Sequence, residues 1–295
     1  MCQLLRFFAL GAALLACPAA AQQSSAGPGG DGEIVVEGRR VEKKEIDAFV
    51  RALTDTPGHG QISRFEAAVC PAAAGLRPSQ NRAIASRIRA VARAAGAPVA
   101  KAGCKPNMLI LVSRDPREYV QAMRRKYPAF FKDPIDQPVH LQDNGAAIAW
   151  HVEGRLTQDG IPAKVAVTPT TRYYLSSTTL SSRLTPPTRP HFLAGILVLD
   201  VDSLGGLTTT QVADYATMRL LTRTDTDRLA TTTAPTILSL VDAAPDSQVP
   251  VTLTTWDFSY LKALYGSQEH RFANSQRGQM QRMMRKDLQS PKRTK

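Results

Sequence analysis

The chain has 295 residues, which suffices for one large domain or two modest ones. Its hydrophobic content of 43% and charged content of 21% are ordinary for a globular protein, and no stretch beyond the first residues approaches the length that spans a membrane. The formal charge of +12 suggests acidic partners, although charge alone identifies none.

The N-terminus has the layout of a secretory signal peptide. Arg6 precedes an apolar run from residue 7 to residue 16, and small residues follow up to Ala21. The run is too short to cross a bilayer comfortably, which favours a leader that is removed over a membrane anchor. The sequence therefore predicts a signal peptide over residues 1–21, cleavage between Ala21 and Gln22, and a periplasmic or secreted protein.

The same residues allow a second interpretation. The stretch ALLAC, which ends at Cys17, resembles a bacterial lipobox, and the resemblance implies a lipoprotein anchored through Cys17. Pro18 and the alanine-rich stretch after it are more typical of cleavage by the ordinary signal peptidase. The mass of the mature N-terminus distinguishes the two.

Residues 22–40 are predicted to form a flexible linker, because Gly, Ser and Gln dominate their first part. Within them, EIVVEGRR is a short β-prone stretch. It is similar to the segment at the mature N-terminus of many TonB-dependent outer-membrane receptors, and it departs from that pattern at Glu37. The resemblance implies that it could add as a strand to the sheet edge of another protein, whereas a short strand or a disordered remnant is the alternative.

The cysteines predict one disulfide. Of the four cysteines, Cys2 and Cys17 lie in the leader, so its removal leaves Cys70 and Cys104 as a pair in an oxidising compartment. The bond would close a loop of about 34 residues and stabilise the fold by roughly 3–4 kcal/mol in the chain-entropy treatment. It would also remove both candidates for a catalytic thiol.

Helices and strands alternate in the N-terminal half of the domain. Apolar residues at helical spacing predict a helix from Val41, and a strand is predicted to end near Cys70. A helix capped by Ser79, an apolar strand over Pro106–Ser113 and a helix with Asp115 as N-cap follow. This β-α-β-α order favours parallel pairing of the two strands.

The C-terminal half begins with strands and closes with helices. The proline-rich stretch TPPTRPHF is predicted to be a loop, because prolines leave little room for a ladder of hydrogen bonds. Three helices are predicted to start near Thr208, Thr233 and Thr254. The predicted strands are AAIAWHVEG, AKVAVTP, TRYYLSS and FLAGILVLDV.

Together these elements predict an α+β fold, with one domain over residues 41–266. Its mixed sheet would carry the β-α-β-α unit on the N-terminal side and helices on the C-terminal side. The tail over residues 267–295 holds eight Lys or Arg against two acids and a face that includes Met280 and Met284. It could form a basic helix on an anionic surface or partner, but a solvated, disordered tail is the prediction.

The helix predicted from Thr208 lies where zincin metallopeptidases carry zinc ligands. A zincin needs two His four residues apart on that helix, with a Glu between them as general base. The stretch GLTTTQVADYATM offers no His, and none occurs between His191 and His270. The sequence therefore predicts no metal and no cofactor, and it assigns no catalytic residue.

Several stretches resemble an uncharacterised family of secreted proteins from Gram-negative bacteria. The layout of that family is similar to a degenerate zincin that lacks the catalytic histidines. The resemblance covers most of the mature chain and implies no established activity, so no catalytic residue is carried over. The stretches are RFEAAVCPAAAGL, NRAIASRIRAVARAAGAPV and GCKPNMLILVS in the N-terminal half, and GLTTTQVADYATM, PTILSLVD and LTTWDFSYLKALYG in the C-terminal half.

Two polar pairs are candidate site residues. Asp200 and Asp202 follow the core strand and could bind a divalent cation or act as acid and base, whereas capping of a turn or of the next helix is the alternative. His151 and Glu153 share one strand face and could be two metal ligands. Because a third ligand is not visible, they are predicted to be a surface pair.

Familiar catalytic and nucleotide-binding motifs are missing. The chain has no G-x-S-x-G elbow, no P-loop and no G-x-G-x-x-G, and its basic residues are not interleaved with aromatic ones, so no nucleic-acid partner is predicted. The leading hypothesis is an exported, non-catalytic binding or scaffold protein. It would contact a cell-envelope protein or an anionic surface through a groove or its terminal segments. The alternative is a divergent hydrolase that acts through Asp200 and Asp202.

Overall fold

The computed structural model of the chain describes residues 41–54, 56, 60–175, 185–224, 226–241 and 248–289. The predicted signal peptide, its cleavage point between Ala21 and Gln22, the lipobox Cys17 and the linker over 22–40 lie outside these residues, so they stay predictions. All the described residues belong to one structural unit, Arg40–Lys295.

A mixed sheet lies at the centre of the fold. Its strands are β1 (Pro71–Ala74), β2 (Met108–Ser113), β3 (Gln142–Asp143), β4 (Ala147–Thr157) and β7 (Thr188–Asp200), while β5 (Val165–Val167) and β6 (Arg172–Tyr174) form a separate hairpin. The order across the sheet is β1-β2-β7-β4-β3. β1, β2 and β7 are parallel, and β4 is antiparallel to both of its neighbours.

Helices cover both faces of this sheet. They are α1 (Lys43–Ala52), α2 (Pro78–Ala94), α3 (Pro116–Lys126), α4 (Thr209–Leu221), α5 (Thr255–Gly266) and α6 (Ala273–Gln289). Short 3-10 turns cover Pro128–Phe131, Asp202–Leu204, Thr226–Thr231 and Ile237–Ser239. None of the described helices is long and apolar enough to span a membrane.

The alternation of side chains along the strands creates two cores. Met108, Ile110 and Leu197 point into the larger core, which also receives apolar side chains from α1, α2, α4, α5 and α6. Ile196 and Trp150 point the other way, into a smaller core covered by α3 and the turn at Pro128–Phe131. α4 is the central helix of the larger core, since nearly all of its side chains are buried.

The predicted fold class is confirmed. The β-α-β-α order appears as β1, α2, β2 and α3, with β1 and β2 parallel, and helices close the C-terminal side. The predicted disulfide is also present: Cys70 and Cys104 are bonded, with their Cα atoms 6.1 Å apart. The bond joins the residue before β1 to the loop before β2, which is compatible with an oxidising compartment.

Two strand boundaries differ from the prediction. The first strand begins at Pro71, after Cys70, because the preceding segment is hydrogen-bonded to the C-terminal part of the chain. The Ile62 amide donates to Gln276 Oε1 at 3.0 Å. β7 starts at Thr188, inside the stretch predicted to be a loop. Pro190 is tolerated there because this half of β7 extends beyond β2 and pairs only with β4.

The helix predicted near Thr233 is reduced to the short turn Ile237–Ser239. The backbone amide of Ile237 donates to Asp257 Oδ2 at 2.8 Å, and Thr236 Oγ1 donates to Asp257 Oδ1 at 2.6 Å. These bonds to α5 replace the hydrogen bonds that a continuing helix would make.

The prediction of a disordered tail over residues 267–295 is wrong for residues 273–289, which form α6. Met280 and Met284 are 0% exposed and belong to the larger core. Lys262 on α5 and Asp287 on α6 form an ion pair of 2.7 Å between the two helices. Residues 290–295 lie outside the described residues. The basic character of the segment suggested solvation, but its methionine face is what packs against α1 and α5.

Candidate functional site

Asp200 and Asp202 lie at the end of β7, but they form a local turn. Asp200 Oδ1 accepts the backbone amide of Asp202 at 3.0 Å, and Asp202 begins the 3-10 turn that leads toward α4. This is the capping role that was the alternative for the pair. Among the residues that the structure describes, no group of three or more His, Cys, Asp or Glu side chains is arranged to hold a metal ion.

His151 and Glu153 both lie on β4, but the prediction of a surface pair is wrong for His151. Its side chain is buried, stacks on Phe192 with ring centroids 4.0 Å apart, and its Nε2 lies 3.0 Å from the carbonyl oxygen of Leu220. The bulge in the β4–β7 pairing lies on β7, where Leu193 is the extra residue between the pairs Val152–Ala194 and Glu153–Phe192, so β4 itself keeps its alternation. Glu153 instead meets Arg223, with Oε1 and Nη1 3.0 Å apart.

The buried position makes His151 sensitive to pH. Burial, and to a smaller extent the charges of Arg223 and Arg219, lower the pKa of His151 to about 3. The unfolded chain binds a proton at this side chain below about pH 6.5, and the folded protein does not. The contribution of His151 to the free energy of unfolding is therefore fully present above pH 6.5, and it decreases as the pH drops toward 3.

We expect the free energy of unfolding to be about 2 kcal/mol lower at pH 5 than at pH 7 from His151 alone. Urea denaturation at both pH values measures this difference. Burial also lowers the pKa of His191, so His191 adds a loss of the same sign. His151→Gln should flatten the pH dependence, whereas His140→Gln, at an exposed site, should leave it unchanged. An equal slope in wild type and His151→Gln would contradict the prediction.

A groove of about 810 Å³ opens between α2, α5 and α6. Ligand sites in proteins are typically clefts of this size, with mostly apolar walls and a few polar groups. The carbon-rich part of the wall combines short side chains of α2 with larger ones from α5, its preceding loop and α6. The apolar lining residues are Ala90, Val91, Ala94, Leu253, Phe258 and Leu288.

The rim of the groove is charged and fixed by ion pairs. Arg87 on α2 donates Nε and Nη2 to the two carboxylate oxygens of Asp214 at 2.8 and 3.0 Å. At the other side, the Lys262–Asp287 pair ties α5 to α6. Asp214 is 0% exposed and also accepts the backbone amide of Leu253 at 2.9 Å, so the loop before α5 is held against α4.

The start of α5 is positioned by a capping box beside this groove. Thr254 Oγ1 accepts the amide of Asp257 at 3.1 Å, and Asp257 Oδ2 accepts the amide of Thr254 at 3.0 Å. Asp257 is fully buried, and burial raises its pKa while hydrogen bonds from Thr236, Ile237 and Thr254 oppose the shift. The wall formed by the start of α5 is therefore anchored to its own helix and to the preceding turn.

Sequence reasoning did not find the groove. Its walls come from α2 and from α5 and α6, which lie more than 150 residues apart in the sequence, so no local pattern brings them together. One weak local signal is present in α2. Ala90 and Ala94 are exposed and one turn apart, and such small side chains leave room for a neighbour on that helix face.

Comparison with known proteins gives no match: no family model, no curated protein and no solved structure is significantly similar to this chain.

Proposed function

We propose that the chain is an exported, non-catalytic cell-envelope protein, periplasmic or secreted, that binds an envelope component in the groove between α2, α5 and α6. The groove carries this proposal, because its volume of about 810 Å³ and its mostly apolar wall fit a ligand with an apolar portion. The Cys70–Cys104 disulfide supports an oxidising compartment outside the cytosol. The leader predicted over residues 1–21 supports export.

The chemistry of the groove favours an amphiphilic occupant such as an acyl chain with an acidic head group. Val91, Leu253 and Phe258 offer apolar surface, which gains free energy when an acyl chain covers it. Arg87 and Lys262 lie at the rim, each paired with a carboxylate, and an acidic head group would lie in solvent beside these two pairs. Lipids and lipid-modified molecules of this chemistry are components of the cell envelope.

The alternative of a hydrolase has less support. Asp200 Oδ1 is occupied by the amide of Asp202, and no described observation favours a substrate at this end of β7. A scaffold role through the terminal segments would need the segment over residues 22–40, which lies outside the described residues. The groove is therefore the part of the proposal that the structure supports most directly.

A fluorescent long-chain fatty acid is a direct probe of the groove. We expect saturable binding to the mature protein, and at least tenfold weaker binding to Ala94→Glu. A carboxylate at residue 94 would face the apolar chain without a partner, and every 1.4 kcal/mol of such cost weakens binding tenfold. Fluorescence titration measures both dissociation constants, and thermal unfolding checks that the variant is folded.

The matched control is Ala122→Glu. Ala122 is also an exposed helical alanine, but it lies on α3, which covers the opposite face of the sheet. The Ala122→Glu variant should bind the fatty acid with the affinity of the wild type. Equal affinity in Ala94→Glu and wild type, or no binding by the wild type, would rule out this groove as the site.

Export is tested separately by fractionation and by the mass of the mature N-terminus. Recovery of a soluble periplasmic or secreted form that begins at Gln22 is the expected result. A lipid-modified Cys17, or Cys17→Ser that shifts the protein from the membrane to the soluble fraction, would support the lipoprotein alternative. An intact Met1 in cells would contradict export.

A further inference from the structure

Exposed apolar side chains are concentrated on a few elements of the described chain. Eight large ones are exposed among the residues that the structure describes, and six of them lie on or next to α3, the β5–β6 hairpin and the bulge of β7. Exposed apolar surface that gathers in one region, with polar residues around it, is typical of a contact site. The six are Tyr119, Tyr127, Val167, Tyr173, Leu175 and Leu193.

A cleft of about 490 Å³ joins these elements. The loop after α3, the hairpin and the bulge of β7 all contribute to its wall, so they form one continuous surface. This surface lies on the side of the sheet that α3 covers, because Val152 in the wall belongs to the smaller core. The wall includes Pro128, Lys132, Val152, Arg172 and Leu193.

The hairpin places an apolar side chain next to Arg172. Val167 pairs with Arg172 across the β5–β6 ladder, and paired residues of antiparallel strands project from the same face. Val167 is 65% exposed, and Leu193 in the wall of the cleft is 41% exposed. Both apolar side chains are therefore available to a partner.

Positive charge surrounds these apolar side chains. The last turn of α3 carries Arg124, Arg125 and Lys126, all of them exposed, and Arg172 is exposed on the hairpin. None of these four side chains forms an ion pair with a residue that the structure describes. Four cations at one surface are thus without a counter-charge from the described part of the protein.

The acids near the cleft do not cancel this charge. Asp136 is paired with Lys132 at 3.0 Å. Asp133 Oδ1 accepts two backbone amides of its own loop at 2.9 and 2.8 Å. The acids of α3, Asp115 and Glu118, lie at the N-terminal end of that helix, away from its basic last turn. The surface around the cleft therefore keeps a net positive charge.

A tyrosine lies among the basic side chains at the end of α3. Lys126 Nζ is 5.3 Å from the centroid of the Tyr127 ring, and the Tyr127 and Phe130 rings meet edge to face with centroids 6.5 Å apart. Tyrosine is enriched at the boundary between lipid and water, because its ring has an apolar body and a polar tip. Exposed tyrosine next to lysine and arginine suits that boundary.

We propose that this surface, formed by residues 124–127 with Lys132, Val167, Arg172 and Leu193, docks on the anionic head-group layer of a lipid membrane. Negative head groups attract the basic side chains, and the exposed apolar and tyrosine side chains enter the layer between them. A second copy of the chain does not fit, because a symmetric contact would bring the same unpaired cations together.

The docking surface and the groove between α2, α5 and α6 are separate. They share no lining residue, and the helices of the groove pack on the opposite face of the sheet. A protein docked on a membrane in this way keeps the groove uncovered. Ala94→Glu, which should lose the fatty acid, is therefore expected to bind vesicles as the wild type does.

Co-sedimentation of the mature protein with vesicles tests the surface. Vesicles of phosphatidylglycerol and phosphatidylcholine should bind the wild type, and vesicles of phosphatidylcholine alone should bind it much less. Sodium chloride should weaken the binding, because salt screens the attraction between charges. No binding to phosphatidylglycerol vesicles, or equal binding to both kinds, would overturn the proposal. Binding to immobilised polyglutamate instead of vesicles would assign the surface to an acidic protein and overturn it as well.

The triple variant Arg124→Gln, Arg125→Gln and Lys126→Gln removes the unpaired charge of α3. Glutamine is as good a helix former as arginine and lysine, so α3 should stay intact, and thermal unfolding checks the fold. We expect binding to phosphatidylglycerol vesicles to be roughly 100-fold weaker, given what each basic residue contributes near an anionic surface. Wild-type affinity in this variant would overturn the proposal.

The matched control removes the same charge from another part of the protein. Arg51, Arg82 and Arg93 are exposed on α1 and α2, which pack on the larger core. Arg51→Gln, Arg82→Gln and Arg93→Gln combined should bind the vesicles nearly as well as the wild type. An equal loss in both triple variants would show that the net charge of the chain, rather than this surface, governs binding, and would overturn the proposal.

Val167→Ser combined with Leu193→Ser tests the apolar contribution. We expect roughly tenfold weaker binding, because two apolar side chains that would leave water on docking are lost. Val251→Ser is the matched control, since Val251 is exposed in the loop before α5, and it should bind as the wild type does. Wild-type affinity in the Val167→Ser and Leu193→Ser variant would overturn the proposed contact of the cleft with the membrane.

Discussion

Replacement of both Cys70 and Cys104 by alanine is expected to lower the free energy of unfolding by about 4 kcal/mol. The bond joins residues separated by 34 positions, and the loop that it closes contains the whole of α2. Closing a loop of this length reduces the entropy of the unfolded chain by an amount worth roughly 3–4 kcal/mol. Cys70 is 2% exposed, so removal of its sulfur also loses packing in the core.

Urea denaturation of the oxidised wild type and of the double variant measures this loss. Reduction of the wild type should reproduce most of it, while a reductant should not change the double variant, which serves as the control. Arg89 Nη2 lies 3.3 Å from Cys104 Sγ, and Arg89 Nη1 donates to the carbonyl oxygen of Ala100 at 2.9 Å, so part of the loop stays attached without the bond. A loss below about 1 kcal/mol would contradict the entropic account.

Local signals in the sequence predicted the helices whose ends are fixed by nearby residues. Asp115 caps α3 by accepting the amide of Glu118 at 2.8 Å. Thr208 and Thr254 begin α4 and α5 through capping boxes with the residues three positions later. Such contacts span one turn, and residue type with spacing is enough to predict them.

Long-range contacts were beyond this kind of reasoning. Arg64 donates Nη1 to the carbonyl oxygens of Leu264 and Ser267 at 2.7 and 3.0 Å, and its Nη2 lies 3.0 Å from Glu269 Oε2. These partners are about 200 residues away in the sequence, and a charged Arg in an extended stretch does not indicate them. The order of the C-terminal segment depends on such partners, which explains why its composition suggested disorder.

The position of His151 shows a different limit. Alternation along β4 placed His151 and Glu153 on one face, and that inference assumes a regular strand. The shared face is present, since His151 lies against the carbonyl oxygen of Leu220 and Glu153 pairs with Arg223, but the end of α4 covers His151. That cover comes from a helix about 70 residues later in the chain, so the burial of His151 could not be predicted from the strand pattern alone.

Asp214→Ala is expected to lower the free energy of unfolding by about 2–3 kcal/mol, because it removes a fully buried carboxylate that accepts several hydrogen bonds, while its partner Arg87 is partly exposed. Asp214 is 0% exposed, and it accepts Nε and Nη2 of Arg87, Thr252 Oγ1 at 2.6 Å and the amide of Leu253 at 2.9 Å. Its loss leaves the part-buried amide of Leu253 without its acceptor and leaves Arg87 with Thr252 Oγ1 only. Chemical denaturation measures the change, and circular dichroism confirms that the variant is folded.

A double-mutant cycle separates the ion pair from the packing of Asp214. Arg87→Met alone leaves a buried carboxylate unpaired, so Arg87→Met with Asp214→Met should cost less than the sum of the two single changes. Additive losses would show that Arg87 contributes little.

The cycle also bears on binding, because Asp214 holds Leu253 in the wall of the groove and Arg87 lies at its rim. A loss of stability without a loss of affinity for the fluorescent fatty acid would show that the ion pair serves the fold and that the apolar wall alone provides the binding surface.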